Sequence, residues 1–422
     1  MKTYCEVMKY FKIKSSSEIL FTNIQENSKK VNKNSIFVAL GKGNNYITEA
    51  KKNGAKLIIS DKEYPFLKDN LMDFYLWFYD YPNFDIELIG ITGTNGKTTT
   101  SFFLHQLLKK SLLISNVPGR NNIYLTVNTT PSSLEIVHAL LKAKESKLRY
   151  VIMEVSSIGI KENRVKGLLF NVIGLTNLTS DHLDYHHTLE EYQQTKIDFI
   201  NSQVSKIYIG ELSEELITKL SRPYFKVCKI SIQKPNNLSS FNINNLSLAY
   251  QIASSYINVR KLNYRLKRVK LPKGRSQLIH KKPRVIIDYA HTEAAFLAIL
   301  SEEKKKCKGK LLVLFGAGGN RDKGKRYKYG ELVYKYANVG LVCNDNPRYE
   351  SPGEIINDII EVNPSFFIVE QDRKKAINQI LKMAKKEDTV LILGRGHEKI
   401  QQINHLEIYL SDEDEVKKWI KE

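Results

Sequence analysis

One run in the chain combines small residues, hydroxyls and a lysine: Gly90-Ile-Thr-Gly-Thr-Asn-Gly-Lys-Thr-Thr-Thr100. It follows the apolar run Leu88–Ile91 and precedes a helical pattern from Ser101 to Lys109. In a strand–loop–helix of this kind the backbone N–H groups of Gly93, Thr94, Asn95 and Gly96, with the helix N-terminus, wrap a polyphosphate. Lys97 would neutralise that anion, Thr98 would hold Mg²⁺, and Thr99 would extend the cradle. The run departs from the strict GxxxxGK[ST] form, since Ile91 occupies the first glycine position.

Other polar groups also follow apolar runs. Glu154-Val-Ser-Ser157 comes after Tyr150–Met153, and TNLTSDHLDYHH, residues 176–187, comes after Val172–Leu175. Each alone reads as a helix cap or bonded loop; together, Glu154, Asp181 and His182 are expected to converge on the phosphate loop, because open α/β sheets gather ligands at strand carboxyl ends. Asp288-Tyr-Ala-His291 is either a cap or a holder of ribose or adenine. Gly316–Arg326, GAGGNRDKGKR, reads as an anion-binding glycine turn, and Gly394-Arg-Gly-His-Glu398 as a further strand-end loop. In CNDNPRYE, residues 343–350, Pro347 stiffens the chain so that Asn346 and Arg348 project from it: a strand-ending turn, or a reader of a charged ligand. Lys196, in the helical segment Leu189–Phe199, reads from its surroundings as a surface lysine.

These loops need parallel strands to present them. Short Val-, Ile- and Leu-rich runs alternate with helical segments from Glu87 onward, the pattern of buried parallel strands in an α/β protein. The N-terminal part holds two clear strands, Ile36–Leu40 and Lys56–Ile59. Length alone predicts about two or three domains, and the run pattern divides the chain into a small α/β unit over 1–85, a central unit over 86–273 with a mostly parallel sheet, and a C-terminal unit over 274–422. The second boundary falls near Pro272-Lys273-Gly274, after a basic stretch, Arg260 to Lys273, that reads as a linker. The net charge of +20 is spread over lysines mixed with acids, which argues for a solvated surface rather than a nucleic-acid or membrane patch. Cys5, Cys228, Cys307 and Cys343 form no CxxC pair, and no apolar run is long enough to span a membrane, so a reduced cytoplasmic protein is expected, a monomer by default.

Taken in order, GITGTNGKTTT, NTTP (residues 128–131), MEVSS, TNLTSDHLDYH, DYAHT, GGNRDKGKR, DNPR and GRGHE resemble the Mur ligases. SIFVAL with Gly54-Ala55 extends the likeness toward the N-terminus. Within that family the set is most similar to the ligases that add meso-diaminopimelate to UDP-N-acetylmuramoyl-L-alanyl-D-glutamate. The resemblance implies an N-terminal domain gripping the UDP end, a central ATPase and a C-terminal Rossmann-like domain delivering the amino acid. It also implies ATP and Mg²⁺, and amide ligation through an acyl phosphate in peptidoglycan precursor synthesis.

By that resemblance Lys97 and Thr98 hold phosphate and Mg²⁺, Glu154 and His182 ligate metal, and Lys196 is a carbamylated lysine that helps place a second Mg²⁺. Thr129, Thr130, Ser156 and Arg164 match contacts to the muramoyl dipeptide, Ser28 a position at the uridine end, and Asn245, Arg275 and Asp288 nucleotide contacts. Asn346, Arg348, Arg321, Gly394 and Glu398 match the amino-acid site, where an arginine reads the far carboxylate that lysine lacks. Ile158, Glu162 and Gln277 depart from the family pattern of His, Gln and Glu, and Gly41–Tyr46 falls in a shortened uridine region. The rival readings are a lysine-adding muramoyl ligase, a folylpolyglutamate synthetase, and a basic P-loop ATPase acting on nucleic acid.

Overall fold

The computed structural model describes residues 1–81, 86–119, 121–227 and 238–422; Cys228 lies outside them. Three mainly parallel sheets follow one another along the chain. The first is small, with β1 (Asn23–Gln25), β2 (Ser35–Ala39) and β3 (Leu57–Ser60) in that spatial order, backed by α1 (Leu67–Phe78). Lys2–Thr3 pairs with Leu20–Phe21 beside it. The N-terminal part thus holds more strands than the two expected, because Asn23–Gln25 has a single apolar residue and leaves no hydrophobic run to read.

The central sheet contains β4 (Glu87–Thr92), β5 (Ser111–Ser115), β6 (Ile123–Leu125), β7 (Tyr150–Glu154), β8 (Val172–Asn177), β9 (Lys206–Glu211) and β10 (Tyr224–Lys226). Their spatial order is β10-β9-β8-β4-β7-β5-β6, and every pairing is parallel. The chain leaves β4 on one side, returns as β7, then crosses to β8 on the other, so β4 sits at the point where the winding reverses. Register does the positioning: Ile91 pairs with Glu154, and Thr92 with Leu175, which sets three loop mouths in line. Helices α2 (Lys97–Leu107) and α3 (Leu189–Asn201) follow β4 and β8, and α4 (Ser240–Ser254) packs Leu246, Ala249 and Ile252 into the same core as Phe103 and Leu107 of α2.

The first half of the basic stretch expected as a linker lies in a helix, Val259–Leu266, whose Leu262 and Leu266 are buried in that core while Arg265 donates to Leu107 O at 2.5 Å. Its leucines, spaced four apart, outweigh the charges between them.

The third sheet orders its strands β11-β12-β16-β13-β14-β15, from β11 (Gln277–Lys281), β12 (Arg284–Asp288), β13 (Leu311–Phe315), β14 (Val339–Val342), β15 (Phe367–Val369) and β16 (Thr389–Leu393). Only the β11–β12 pair is antiparallel. Here too the chain returns between two earlier strands, and the loops after β12, β13, β14 and β16 share one end. A hairpin, β17 (Ile400–Ile403) with β18 (Leu406–Tyr409), then folds over those loops. The last helix, α5 (Asp412–Lys421), is held by an ion pair in which both side chains are wholly buried: Arg373 Nε and Nη2 each reach an Asp412 oxygen at 2.8 Å. No helix among the described residues is long and apolar enough to cross a membrane.

Removing one member of that pair leaves the other charge buried and uncompensated. Asp412→Ala should therefore cost about 3–5 kcal/mol. A urea titration should show a lower midpoint, largely restored in Arg373→Met/Asp412→Leu; an unchanged midpoint in the single variant contradicts this role.

Candidate active site

The turn from β4 into α2 depends on two glycines. Gly93 has φ +129° and Gly96 has φ +88°, backbone that side-chain-bearing residues seldom adopt. A Cβ on Gly93 would meet Thr176 Oγ1 at 2.0 Å, and one on Gly96 would meet Asn245 Oδ1 at 2.1 Å. The loop is thus pressed between the end of β8 and α4. Asn95 takes part on both sides: its N–H donates to Asn177 Oδ1 at 3.0 Å, and its Oδ1 accepts from Thr292 Oγ1 of the third sheet's layer at 3.2 Å. Lys97 curls over the turn, donating to Gly93 O and Thr94 O at 2.9 and 2.7 Å. Burial depresses its pKa, against the pull of Glu154 and Asp181.

Thr98 Oγ1 donates to Glu154 Oε2 at 2.9 Å, and Arg275 Nη2 donates to the same hydroxyl at 3.3 Å. Glu154 Oε1 is buried without a hydrogen-bond partner. Burial raises this carboxyl's pKa, with Lys97, Thr98 and Arg275 opposing. Among the described residues no three His, Cys, Asp or Glu side chains converge as a metal site. A hydroxyl and a spare carboxylate oxygen beside an anion cradle still suit Mg²⁺, which commonly takes few protein ligands and completes its shell with phosphate and water.

Lys196 is buried rather than on the surface, and its Nζ donates to Gly93 O at 2.5 Å and to the Tyr192 hydroxyl at 2.8 Å. Tyr192 in turn donates to Thr94 Oγ1 at 2.9 Å. Burial, then the charge on Lys97, pushes the Lys196 pKa well down. As a free amine it is a donor to the loop; only a modified, anionic form could ligate a cation.

Asp181 is the junction between the central and third sheets. It accepts from Lys325 Nζ at 2.7 Å and lies 3.4 Å from His182 Nε2 and 3.9 Å from His291 Nε2. Burial works against its ionisation, but these neighbours outweigh burial and hold the carboxyl well below the usual range. His182 has left-handed backbone, φ 51°, and a pKa lowered to about 4, chiefly by burial.

Two cavities meet at this junction. One, of about 380 Å³, is lined by Asn95, Gly96, Asn245, Arg275 and Asp288, and so brings together the three residues expected to hold a nucleotide. Asp288 accepts from Ser276 N at 2.6 Å, and Gln277 caps the nearby turn by accepting from Gly274 N at 2.7 Å. The other, of about 180 Å³, is lined by His182, Arg321, Asn346, Arg348, Gly394 and Glu398, which places all five expected amino-acid contacts around one space. Tyr289 borders both: Arg275 lies 4.3 Å over its ring, and its hydroxyl donates to Glu398 Oε1 at 3.1 Å.

In the smaller cavity Asn346 Nδ2 donates to Glu398 Oε2 at 3.1 Å. Arg348, at φ 52°, donates to Gly319 O at 2.7 Å. Burial, followed by Arg321, lowers the Arg348 pKa, while burial and Asp345 raise that of Glu398. Arg321 stands half-exposed at the mouth, 3.5 Å from Asp184 of the central layer.

The remaining expected contacts form a separate cluster beyond β7. Thr130 Oγ1 donates to Glu154 O at 2.9 Å and lies 3.0 Å from Ser156 Oγ, and Arg164 Nη1 donates to Thr130 O at 2.5 Å. Thr129 is half-buried beside them. Glu162, the departure noted in the sequence, pairs with Arg164 and so occupies the cation that a carboxylate ligand would use. Ser28 lies in the first sheet's layer with its hydroxyl bonded to Glu49 at 2.5 Å, away from both cavities. Lys325, Tyr192 and Arg395 were given no role by sequence reasoning, although Lys325 and Arg395 fall inside motifs quoted for other residues.

Residues 91–271 match the Mur ligase middle domain and residues 274–396 the Mur ligase glutamate ligase domain. A UDP-N-acetylmuramoyl-L-alanyl-D-glutamate–2,6-diaminopimelate ligase of Clostridium acetobutylicum is 31% identical, with 98% of each chain covered. The chain belongs to the Mur ligase family. A similarly named ligase of Helicobacter pylori is 34% identical over 80% of this chain and 85% of its own. The solved structure of a UDP-N-acetylmuramoyl-L-alanyl-D-glutamate–2,6-diaminopimelate ligase superposes with a TM-score of 0.64 at 25% identity, covering 100% of this chain and 99% of the other. In this Mur ligase, then, family membership and the convergence of six of the eight ordered motifs on two adjoining cavities agree.

Two expectations follow. Gly96→Ala forces strained backbone and drives Asn245 aside, a penalty of about 1–3 kcal/mol, so calorimetry should find nucleoside triphosphate bound about tenfold or more weakly; unchanged affinity contradicts the placement. His397, beside Tyr289, has a pKa lowered from 6.5 to about 4, chiefly by burial. Below 6.5 the unfolded chain takes up a proton that the fold refuses, so stability should fall as pH drops from 6.5 toward about 4. His397→Gln should make that fall shallower in thermal melts, and an identical slope contradicts the assignment.

Proposed function

We propose that this protein is a cytoplasmic ATP-dependent ligase that joins meso-diaminopimelate to the D-glutamyl carboxylate of UDP-N-acetylmuramoyl-L-alanyl-D-glutamate. The observation that carries the reading is the smaller cavity. Arg348 offers paired donors for a carboxylate and Glu398 a carboxylate for an ammonium, and both line one space with His182. An amino acid bearing a charged pair at its far carbon fits that set, and lysine, lacking the second carboxylate, leaves the guanidinium without its partner. The names of the relatives agree with this choice.

The γ-phosphoryl group of ATP passes to an oxygen of the D-glutamyl carboxylate, giving ADP and an acyl phosphate. The free amine attacks the carbonyl carbon, the tetrahedral adduct expels phosphate together with the former carboxylate oxygen, and the amine loses its proton. Positioning and charge compensation carry most of such a reaction. Lys97 and the start of α2 neutralise the migrating phosphoryl group, and Arg275 reaches the same place from the third domain. Asn245, Arg275 and Asp288 line the nucleotide cavity. Thr98, Glu154 and His182, with Lys196 if carbamylated, would hold Mg²⁺, which when bound offsets phosphate charge. Thr129, Thr130, Ser156 and Arg164 would face the muramoyl dipeptide, and Ser28 the uridine end. The three units are taken as 1–85, 86–273 and 274–422.

Phosphate release should require the muramoyl dipeptide and meso-diaminopimelate together, should be lost in Lys97→Ala, and should not respond to DNA or RNA. Release stimulated by nucleic acid and abolished by salt would instead mark a nucleic-acid ATPase. Arg348→Ala leaves a carboxylate unpaired in a buried site, so the KM for diaminopimelate should rise roughly a hundredfold. A preference for diaminopimelate over lysine that survives this change contradicts the assignment.

A further inference from the structure

Arg395 is wholly buried and does not line the smaller cavity, yet it reaches three residues that do: Asn346, Asp345 and, at 3.9 Å, Glu398. Its Nη1 donates to Asn346 Oδ1 at 3.0 Å and, more loosely, to Asp345 O at 3.5 Å; its Nη2 donates to Ile400 O and Leu410 O at 2.9 and 3.3 Å. Asn346 Oδ1 accepts a second bond, from Gln402 N at 2.8 Å. A side-chain amide has one accepting and one donating end of nearly equal shape, so nothing intrinsic decides which end faces a ligand. Here two inward donors occupy the oxygen, and the NH₂ group is left to face Glu398 Oε2 at 3.1 Å. A flipped amide would set its oxygen against the Glu398 carboxyl and leave Arg395 and Gln402 N aimed at an NH₂ group.

We infer that Arg395 is a positioning residue for amino-acid selection: with the Gln402 backbone N–H it fixes the Asn346 amide so that its donors face the cavity. This rests on the reading of that cavity as the amino-acid site. The β17–β18 hairpin ties down the rest of the loop. Gln401 Nε2 donates to Asp345 O at 2.6 Å, Arg348 N to Gln402 O at 3.1 Å, and Asn404 N to Arg348 O at 2.6 Å. Those bonds hold the backbone beside Asn346 and Arg348. Arg395 is the side chain that addresses the Asn346 amide, and it does so from a wholly buried position, its Nη1 also lying 3.9 Å from Glu398 Oε2.

Because Arg395 also bonds two carbonyls, its removal can loosen the fold, and the test separates the two effects. Steady-state kinetics are measured for wild type, Arg395→Met, Arg395→Lys, Asn346→Ala and Asn346→Ala/Arg395→Met. Arg395→Met should raise the KM for meso-diaminopimelate about tenfold or more while kcat and the KM for ATP stay within about twofold. In the Asn346→Ala background the same change should add less than about twofold, since the amide it orients is gone. A fall in kcat with the diaminopimelate KM unmoved, or losses that multiply in the double variant, overturns the inference. Should Arg395→Met fail to fold, Arg395→Lys decides by the same split, because an ammonium cannot reproduce the planar fork. The Asn346 side-chain amide, followed by NMR hydrogen exchange without substrate, should be protected in wild type and exposed to exchange in Arg395→Lys; equal protection also overturns it. Absence of turnover with diaminopimelate in wild type would defeat the functional reading, while the exchange measurement still decides the orientation.

Discussion

The chemistry depends on a meeting of two sheets across a few charged bonds, with the Asp181 carboxylate at its centre. Paired with Lys325 and flanked by His182 and His291, this group joins the segment after β8 to the start of the helix that follows β13. Arg275 reaching Thr98, and Thr292 reaching Asn95, repeat the connection at the phosphate loop. Each bond is modest alone. Because they lie in a partly dry junction, where charge interactions are screened less than at a free surface, they fix the geometry in which one cavity opens onto the other.

That junction explains why the titratable groups are spread as they are. Lys97 and Lys196 are depressed by burial, Glu154 and Glu398 raised by it, and Asp181 held low by its neighbours. The first four are buried groups short of counter-charge, which a polyphosphate, a cation and a zwitterionic amino acid would supply. Tyr289 sits where the two cavities touch, with its ring under Arg275 and its hydroxyl on Glu398, so occupancy of one cavity bears on a residue of the other.

Much of this was legible in the residues themselves. The Val, Ile and Leu runs that became β4, β7, β8, β12, β13 and β16 are buried on both faces, and burial on both faces erases the polar alternation that would otherwise mark a strand. Loops at their carboxyl ends carry the polar groups, as the pattern requires. Lys196 was not legible from its own segment, since a lysine among glutamates and glutamines looks solvated; only the resemblance set it apart, and its burial comes from contacts with Gly93, 103 residues away. Nor was Lys325 separable from the cations around it, because its partner Asp181 lies 144 residues earlier. The β17–β18 hairpin left a signal that was missed: Ile400–Ile403 and Leu406–Tyr409 flank the two-residue turn Asn404-His405, with Asn404 at φ 51°. Arg395 bonds Ile400 of that hairpin and Asn346, which lies 49 residues earlier, and neither partner could be read from GRGHE itself.

The central claim is that phosphate leaves from an acyl phosphate formed on the D-glutamyl carboxylate. It is tested most directly by labelling both oxygens of that carboxylate with ¹⁸O and analysing the phosphate released in the presence of ATP and meso-diaminopimelate by mass spectrometry. One labelled oxygen in each phosphate is the predicted result, since the carboxylate oxygen departs with the phosphoryl group. Phosphate free of label, with tripeptide formed in equal amount, would contradict the account.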